Sequence, residues 1–420
     1  MAVTKRVLLG AGLAALAAPA VRSASAKLTI FSHRIHQIVA TGTQGGDITA
    51  DWTKQTGVKV EWVTFETAEL QERLFREASL SATNVDIGFI LNTQATKRLA
   101  TLFERLDVLT EKVEDPADIF PGLMQAMTVE GALYGVPFRH ASSGLHYNEE
   151  MFAERGVTGP PATMEDLLAE AKACTYMRGG QRVSGLVMGG LGYADVIAFA
   201  RAWDGDFITT DFNVVADQPP MVAAITTLRG MYEAGTLPRG IAAINGEDVN
   251  QWMQTGRAAT ILGAMGRNAI YNDPAKSRFP GKIKTVPIPV VAALRAQYPV
   301  APTKVESWGM AIPTASANKE LAWSLIRAMS SKQATVMAAL NGNGPVRAST
   351  YDDPRIRAKL PFADAERQVL QVSRVAVPAF DNAAKAADVF QEEVQAAVLG
   401  LKPVEEAMLD ATRRTKLLVG

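Results

Sequence analysis

Polar side chains that could bind a small molecule follow two of the strands predicted in this chain. Ser32, His33 and Arg34 come directly after the first strand, and Asn92 and Thr93 come after the third. Ligands of α/β proteins bind at the loops that leave the carboxyl ends of the strands. We therefore expect at least one residue of the first group to contact a ligand, and the backbone amides near Thr93 to hold a ligand oxygen. The alternative for both loops is a solvated surface.

An arginine follows a later strand. Arg267 lies in the loop 263–268, directly after the predicted strand Ala258–Leu262. A guanidinium can donate two parallel hydrogen bonds to a carboxylate or to paired hydroxyls. This position could therefore bind an acidic or a neutral ligand.

Metal and phosphate chemistry are less well supported. The four histidines, His33, His36, His140 and His146, lack a spacing diagnostic of a zinc site, which needs three or four converging ligands. The glycine-rich segment 185–192 has no P-loop lysine and fits a dinucleotide-binding fingerprint poorly. We predict no metal and no cofactor, and interpret this segment as a strand that leads into a tight turn.

Alternating strands and helices must position these residues. Lys27–Phe31, Val58–Val63 and Val85–Leu91 have the apolar patterns of strands, and the third is apolar enough to be buried on both faces. Thr163, three residues before Asp166, marks the start of a helix. The alternation predicts an α/β fold around mainly parallel sheets, and the length predicts two domains.

The N-terminus has the three-part layout of a secretory signal peptide. Lys5 and Arg6 precede the apolar stretch 7–21, and Ala24-Ser25-Ala26 is a small-residue cleavage site. The apolar stretch is too short for a comfortable membrane span. We predict that residues 1–26 are removed after Ala26 and that the mature protein is periplasmic.

The composition argues against a nucleic-acid partner and against stabilisation by disulfides. The chain has 43 basic and 43 acidic residues, and the mature part carries three excess negative charges. No basic run is present that could neutralise a phosphate backbone, so we expect no nucleic-acid partner. The only cysteine is Cys174, so a large core must replace disulfides in this exported chain, which we expect to be a monomer.

Several segments carry a family resemblance, and they occur in the same order as in the family: Leu133–Phe138 continued by Gly144–Phe152, Trp252–Thr260, Ser307–Pro313 followed by Asn318–Trp323, Gly342–Arg347, and Leu399–Ala407. In this order, they resemble segments of the family 1 extracellular solute-binding proteins, the maltodextrin-type group of ABC importers. The family segments are LYGVPF…LYYNKDLF, F-x-x-GKAAM, a Gly-rich strand with NKEAAWEFI, G-x-x-PVR and G-x-x-P-x-E-A-L. The matches cover essentially the whole mature chain.

The resemblance implies two α/β lobes that are joined by chain crossovers and close around a ligand like a hinge. By analogy, the N-terminal lobe contains residues 27–139 and 309–352, and the C-terminal lobe contains 140–308 and 353–420. A cleft between two rigid lobes can bury a small polar ligand and release it by opening.

The same resemblance adds candidate site residues. Arg139 and His140 stand at the family's lobe crossover, either facing the cleft or hinge, or tied by a salt bridge to one lobe. The family often has a sugar-stacking tryptophan near the loop 263–268, where this chain has Met265 and Arg267. A stacked sugar at this loop is therefore in doubt.

Aromatic residues could supply stacking from elsewhere. Tyr193, Trp203 and Trp308 are the best candidates. Aromatic residues make up only 7% of the chain, which is low for a protein that grips a long oligosaccharide. A mono- or disaccharide, a polyol or a sugar acid fits better.

Two function classes follow from these features. The first is a substrate-binding protein of an ABC importer, without catalysis, that delivers its ligand to a membrane permease. The second is a secreted hydrolase or lyase, which would need a nucleophile–base pair or paired carboxylates. Since neither G-x-S-x-G nor H-E-x-x-H is present, we expect no enzyme.

The charge of the ligand is open. Four arginines stand near the proposed cleft loops and modestly favour an anionic sugar or sugar acid: Arg34, Arg139, Arg267 and Arg347. These arginines could instead pair with acids such as Asp204 or Glu306.

Overall fold

A computed structural model describes residues 27–419, so the predicted signal peptide and its cleavage site lie outside the described residues. The strands are β1 (Lys27–His33), β2 (Lys59–Phe65), β3 (Ile87–Leu91), β4 (Thr128–Val129), β5 (Ala132–Leu133), β6 (Val136–Asn148), β7 (Tyr176–Arg178), β8 (Gln181–Val183), β9 (Thr260–Ala264), β10 (Ile283–Val286) and β11 (Val305–Ala311).

Seventeen α-helices accompany these strands within the described residues. They are α1 (Arg34–Ala40), α2 (Ala50–Thr56), α3 (Thr67–Ala78), α4 (Leu99–Leu102), α5 (Pro121–Gln125), α6 (Glu149–Glu154), α7 (Met164–Ala173), α8 (Tyr193–Ala200), α9 (Pro219–Glu233), α10 (Gly246–Thr255), α11 (Asn268–Tyr271), α12 (Lys319–Met329), α13 (Lys332–Leu340), α14 (Pro354–Lys359), α15 (Ala363–Val372), α16 (Ala383–Val398) and α17 (Val404–Val419). Between residues 27 and 419, no helix has both the length and the apolar character of a membrane span.

The first three strands pair as expected for an α/β lobe, but the crossover strands do not. β1 lies parallel to both β2 and β3, whereas β11 is antiparallel to β3 and to β6. The expectation of mainly parallel sheets is therefore wrong for this part of the fold. The reason is that β6 and β11 carry the chain between the lobes in opposite directions.

Strand β6 belongs to both lobes. Its first part, up to Ser142, pairs with β11, and from Ser143 onwards it pairs with β9 and β10. The chain thus leaves the N-terminal sheet three residues beyond position 139, which the resemblance gives as the bound. It rejoins that sheet at Val305, before position 309.

The last return to the C-terminal lobe also differs from the expected bound at 353. Helix α14 packs on α13 of the N-terminal lobe, and α15 contacts residues of both lobes: Leu370 packs with Phe120, and Val369 packs with Met265. Only α16 and α17 pack on α8 and α9 in the core of the C-terminal lobe. The third connection between the lobes is therefore the segment 373–382.

Local sequence signals place several of these elements. Thr163 and Asp166 form the reciprocal capping box of α7, so the predicted helix start is confirmed. The helical patterns around Trp52, Trp252 and Trp323 predict core positions; Trp52 and Trp323 are buried in the N-terminal core, whereas Trp252 is half-buried.

Candidate functional site

A small cavity lies between the two lobes. Its volume is about 130 Å³. Residues of both lobes line it, from the end of β3, the start of α8, the start of β11 and the segment that leads into α16: Asn92, Thr93, Tyr193, Ala194, Lys304, Val305, Glu306, Ala376, Val377, Pro378, Ala379, Ala383, Ala384 and Ala387. A larger groove of about 400 Å³ continues from it along the lobe boundary and shares Asn92, Pro378 and Ala379. We call the first space the interlobe cavity.

The N-terminal side of the interlobe cavity is held in place by the end of β3. Asn92 is buried, and its Oδ1 accepts a hydrogen bond of 3.0 Å from the backbone N–H of Ser307 on β11. This bond fixes a single 3₁₀ turn, Asn92–Gln94, and leaves Thr93 exposed toward the cavity.

The opposite side is formed by the start of α8. The segment 189–192 is a tight turn, as predicted, and it places Tyr193 at the first position of the helix. The backbone N–H of Tyr193 donates to Oε1 of Gln391 on α16, at 3.2 Å. Burial raises the pKa of the Tyr193 phenol, so its hydroxyl remains a hydrogen-bond donor at neutral pH.

The wall between the lobes is fixed by a buried arginine. Arg201 is only 1% exposed and donates to the backbone carbonyls of Arg374, at 3.1 Å, and Val375, at 2.7 Å. The backbone N–H of Val305 donates to the same Arg374 carbonyl, at 3.0 Å. The connecting segment 373–382 is therefore attached to both β11 and the C-terminal lobe.

Charged groups of both signs surround the cavity. Lys304 and Glu306 extend from the start of β11, and their Nζ and Oε1 atoms are 3.5 Å apart. The Lys304 side chain is 14% exposed and that of Glu306 is 50% exposed. Asp195, in the first turn of α8, is not among the lining residues; burial raises its pKa, an effect that the positive charge of Lys304 opposes. These groups can both donate to and accept from a polar ligand.

A family model supports the architecture independently. The model, described as bacterial extracellular solute-binding protein, matches residues 47–363, which is more than half of the chain. The chain belongs to this family. The recognition of a solute-binding protein from its sequence motifs is thereby confirmed.

Two curated relatives are ABC-transporter binding proteins. This solute-binding protein is 25% identical over 262 residues to a probable ABC transporter-binding protein of Deinococcus radiodurans, covering 58% of each chain. It is 22% identical over 415 residues to a probable amino-acid ABC transporter periplasmic-binding protein of Sinorhizobium fredii, covering 92% of this chain and 90% of the relative. The match to the Deinococcus relative thus spans less than two thirds of that protein.

Solved structures share the fold. The sugar-binding protein MalE of Xanthomonas citri superposes with a TM-score of 0.78 at 20% identity, covering 94% of this chain and 97% of that one. A solute-binding protein of Agrobacterium vitis, solved with bound D-mannitol, gives a TM-score of 0.69 at 20% identity, covering 93% and 98%. The two-lobe α/β fold is therefore confirmed.

Two of the predicted site residues line the interlobe cavity of this solute-binding protein. They are Thr93 and Tyr193, one from each lobe. Arg139 lies on β6 and is half-buried, with a pKa lowered by burial and opposed by the charge of Glu306. Its Nη1 donates to Oδ1 of Asn343, at 3.2 Å, so part of its guanidinium is already engaged.

The first predicted loop is not a loop. Strand β1 continues to His33, and α1 begins at Arg34. Ser32 is buried, and Nδ1 of His33 accepts from the backbone N–H of Ile35 as the cap of the helix. Arg34 is exposed. None of the three lines the interlobe cavity.

Two tryptophans proposed for stacking pack inside the lobes instead. Trp308 is 9% exposed, and its ring meets His36 edge-on at 4.8 Å. Trp203 packs on Phe199 at 5.1 Å, against the core of the C-terminal lobe. Tyr193 is the aromatic residue that lines the interlobe cavity.

The remaining candidates from the loop 263–268 and the turn 342–347 also have structural roles. Met265 is fully buried. Arg267 donates to the Gly246 carbonyl, at 2.9 Å, and to Oδ1 of Asn250, at 3.0 Å, both on α10. Arg347 is fully buried and donates to backbone carbonyls of neighbouring loops. We leave these three out of the proposed site.

His140 belongs to the hinge. Its Nε2 lies 3.3 Å from the Tyr351 hydroxyl, which donates to Glu366 Oε2 at 2.9 Å. Ser142, also on β6, donates to the other oxygen of Glu366 at 2.9 Å. Burial lowers the pKa of His140 to about 3 and raises that of Glu366. This buried network joins the crossover strand to α15.

Two charged cavity residues were missed as candidates: Lys304 and Glu306. Lys304 and Glu306 alternate with buried Val305 at the start of β11, and that alternation was a readable signal. In residues 27–419, no cluster of three or more His, Cys, Asp or Glu side chains is placed to hold a metal ion.

Proposed function

We propose that this protein is the substrate-binding component of an ABC importer and that it captures a small neutral polyhydroxylated solute, a mono- or disaccharide or a polyol. The observation that carries this proposal is the interlobe cavity, where Lys304 from β11 and Tyr193 from α8 face one space. Hydroxyl groups both donate and accept hydrogen bonds, so they suit a cavity with ammonium, carboxylate and phenol groups together.

The balance of charge favours a neutral ligand over an anionic one. The charged residues of the lining are Lys304 and Glu306, and their side chains pair at 3.5 Å. None of the four arginines that favoured an anion lines the cavity. An added negative charge would therefore find the ammonium group of the lining already paired with a carboxylate.

The size and lining of the site favour a short ligand. The interlobe cavity of about 130 Å³ and the adjoining groove of about 400 Å³ offer few aromatic faces. Long oligosaccharides need several such faces for stacking. The relative solved with D-mannitol supports a polyol-sized ligand within the same fold.

Binding would proceed by closure of the lobes. Three segments connect them: β6, the start of β11 and residues 373–382. A ligand that contacts both Thr93 and Tyr193 stabilises the closed state more than the open state, and so shifts the population toward closure. The mature protein, periplasmic and monomeric after removal of residues 1–26, would then present the closed form to a membrane permease.

A second ligand class is an amino acid. The relative from Sinorhizobium fredii is named as an amino-acid binding protein. In this chain, Lys304 and Glu306 could pair with the carboxylate and the ammonium group of one zwitterion. A thermal-shift screen that includes amino acids separates this class from sugars and polyols.

The first test is a thermal-shift screen of residues 27–420 against neutral sugars, polyols, sugar acids and amino acids. A ligand at about 100 times its Kd stabilises the fold by about 2.7 kcal/mol, which raises Tm by a few degrees. We expect a neutral sugar or polyol to do so. A response to amino acids alone, or to none of the compounds, would contradict the proposed ligand class. Recovery of the hit unchanged after incubation would exclude its hydrolysis.

The second test removes the ammonium group from the cavity. With the hit from the screen, Lys304→Met should weaken binding by about 1.5–3 kcal/mol, roughly 10- to 150-fold, because a charge-assisted hydrogen bond is lost. Calorimetry would measure the Kd. The matched control is Lys54→Met, an exposed lysine on α2. Equal affinities for both variants would remove Lys304 from the site.

A further inference from the structure

The C-terminal lobe carries a second concave site, far from the interlobe cavity. It is a depression of about 610 Å³. Three arginines and one tryptophan line it together with backbone and apolar groups, and no acidic residue does: Arg182, Arg239, Arg257 and Trp252. We call this depression the arginine pocket.

The chain topology separates the two sites. Segments 184–187 and 258–261 run side by side in parallel, and the arginine pocket contains residues at their amino ends, Ser184 and Arg257. Their carboxyl ends lead to Tyr193 and to the loop after β9, on the side of the interlobe cavity. The paired stretch is four residues long in each segment, or roughly 13 Å of strand. The two sites share no lining residue.

The arginines are held in place by neutral groups. The Arg257 guanidinium lies 4.0 Å from the Trp252 ring centroid, and that of Arg239 lies 5.2 Å from Tyr232. Nη2 of Arg182 donates to the Gly235 carbonyl, at 3.0 Å. Within the described residues, none of the three forms an ion pair at 4.0 Å or less. Their positive charges are therefore oriented but not neutralised.

The repulsion among these positive charges raises the free energy of the empty pocket, and a bound ligand can lower it. Like charges around one concave surface repel one another, and a bound anion removes that repulsion. Guanidinium groups that are already oriented lose little conformational entropy on binding, and their fork matches phosphate and carboxylate oxygens. Trp252 adds an aromatic wall.

We propose that the arginine pocket binds a small oxyanion with two or more negative charges, a phosphate compound or a polycarboxylate. This site is independent of the proposed transport ligand, because it lies on the other edge of the sheet and is complete within one lobe. Its occupant can therefore stay bound while the lobes open and close.

The test uses pyrophosphate and citrate as probes, with acetate as the monovalent reference, in a chloride buffer. Calorimetry gives the Kd of each probe. Tryptophan fluorescence is recorded in parallel, and a change that is lost in Trp252→Phe arises in the pocket. We expect pyrophosphate or citrate to bind and acetate not to bind. The triple variant Arg182→Gln, Arg239→Gln, Arg257→Gln should raise the Kd by about tenfold or more. Preference for pyrophosphate assigns a phosphate ligand, and preference for citrate assigns a polycarboxylate.

The matched control is the triple variant Arg76→Gln, Arg98→Gln, Arg295→Gln, which removes the same charge from exposed arginines outside the pocket. It should leave the Kd within about threefold of the parent, since distant surface charges are screened by salt. All three pocket arginines are exposed, so we expect the triple variant to fold; if it does not, Arg239→Gln alone replaces it. Equal losses in the pocket and control variants, or no binding of either probe, would overturn the proposal.

Discussion

Replacing Arg347 with methionine is expected to lower the free energy of unfolding by about 3–5 kcal/mol, because it removes one partner from a buried charged network. Arg347 is fully buried, and its Nε donates to the Ser330 carbonyl at 2.9 Å, while Nη1 donates to the Asp115 carbonyl at 2.8 Å. Nη1 also lies 3.5 Å from Asp118, whose side chain is itself 9% exposed. Methionine fills much of the volume but leaves these acceptors without a donor.

Urea denaturation of the parent protein and of Arg347→Met would measure this loss of stability. The control is Arg357→Met, which breaks an exposed pair with Asp364 and should cost no more than the about 0–1 kcal/mol typical of such pairs. Ligand affinity should be the same in the parent and in the folded Arg347→Met protein. A small loss of stability combined with a large loss of affinity would return Arg347 to the binding site.

The case of Arg347 shows what the sequence alone determines. The motif Gly342–Arg347 correctly indicated the family, but it could not show where the side chain points. In the structure, the turn packs against the crossover strand so closely that a Cβ atom on Gly344 would lie 2.4 Å from the His140 carbonyl oxygen. That contact depends on residues about 200 positions apart, which no local pattern records.

Elements with local causes were predictable. The capping box of α7 and the turn 189–192 depend on neighbouring residues, and both are present as predicted. The boundary after β1 failed for a different reason. Pairing with β2 continues through Ser32 and His33, so tertiary contacts extended the strand beyond its apolar pattern.

The candidate site shows the same difference between features with local causes and features that depend on tertiary contacts. Thr93 and Tyr193 were predicted from a strand end and a turn, which can be read locally, and both line the interlobe cavity. Trp308, predicted at a lobe crossover, and Met265, predicted in a loop, are buried, because a large apolar side chain is as suitable for packing as for ligand contact.

Acidification should destabilise the parent protein more than a variant that lacks one buried histidine. His146 is fully buried on β6, where its Nε2 donates to the Ala264 carbonyl at 3.1 Å and its Nδ1 accepts from the Thr285 hydroxyl at 2.8 Å. Nδ2 of Asn268 donates to the same hydroxyl at 2.8 Å, which favours this orientation. Burial lowers the pKa of His146 to about 3, so the folded protein holds the neutral ring.

The sign of the effect follows from proton binding. In the unfolded chain, a histidine has a pKa of about 6.5, so between about pH 6.5 and 3 the unfolded state binds one more proton than the folded state. The contribution of the neutral ring is therefore complete above pH 6.5 and is lost as the pH falls. Between pH 7 and 5, it amounts to about 2 kcal/mol for this one residue. Buried carboxyl groups such as Glu366, whose pKa is raised, act in the opposite direction, so total stability alone cannot isolate the histidine.

A comparison of variants isolates the contribution of His146. Glutamine at position 146 can keep the donor to Ala264 but does not titrate, so the stability deficit of His146→Gln should shrink by about 2 kcal/mol when the pH is lowered from 7 to 5. Urea denaturation at both pH values measures the two deficits. The control is Leu262→Ala, which removes a buried side chain from the neighbouring strand β9 and no titrating group, so its deficit should stay constant. If the deficit of His146→Gln also stays constant, the ring of His146 does not gain its proton on unfolding, and burial has not lowered its pKa.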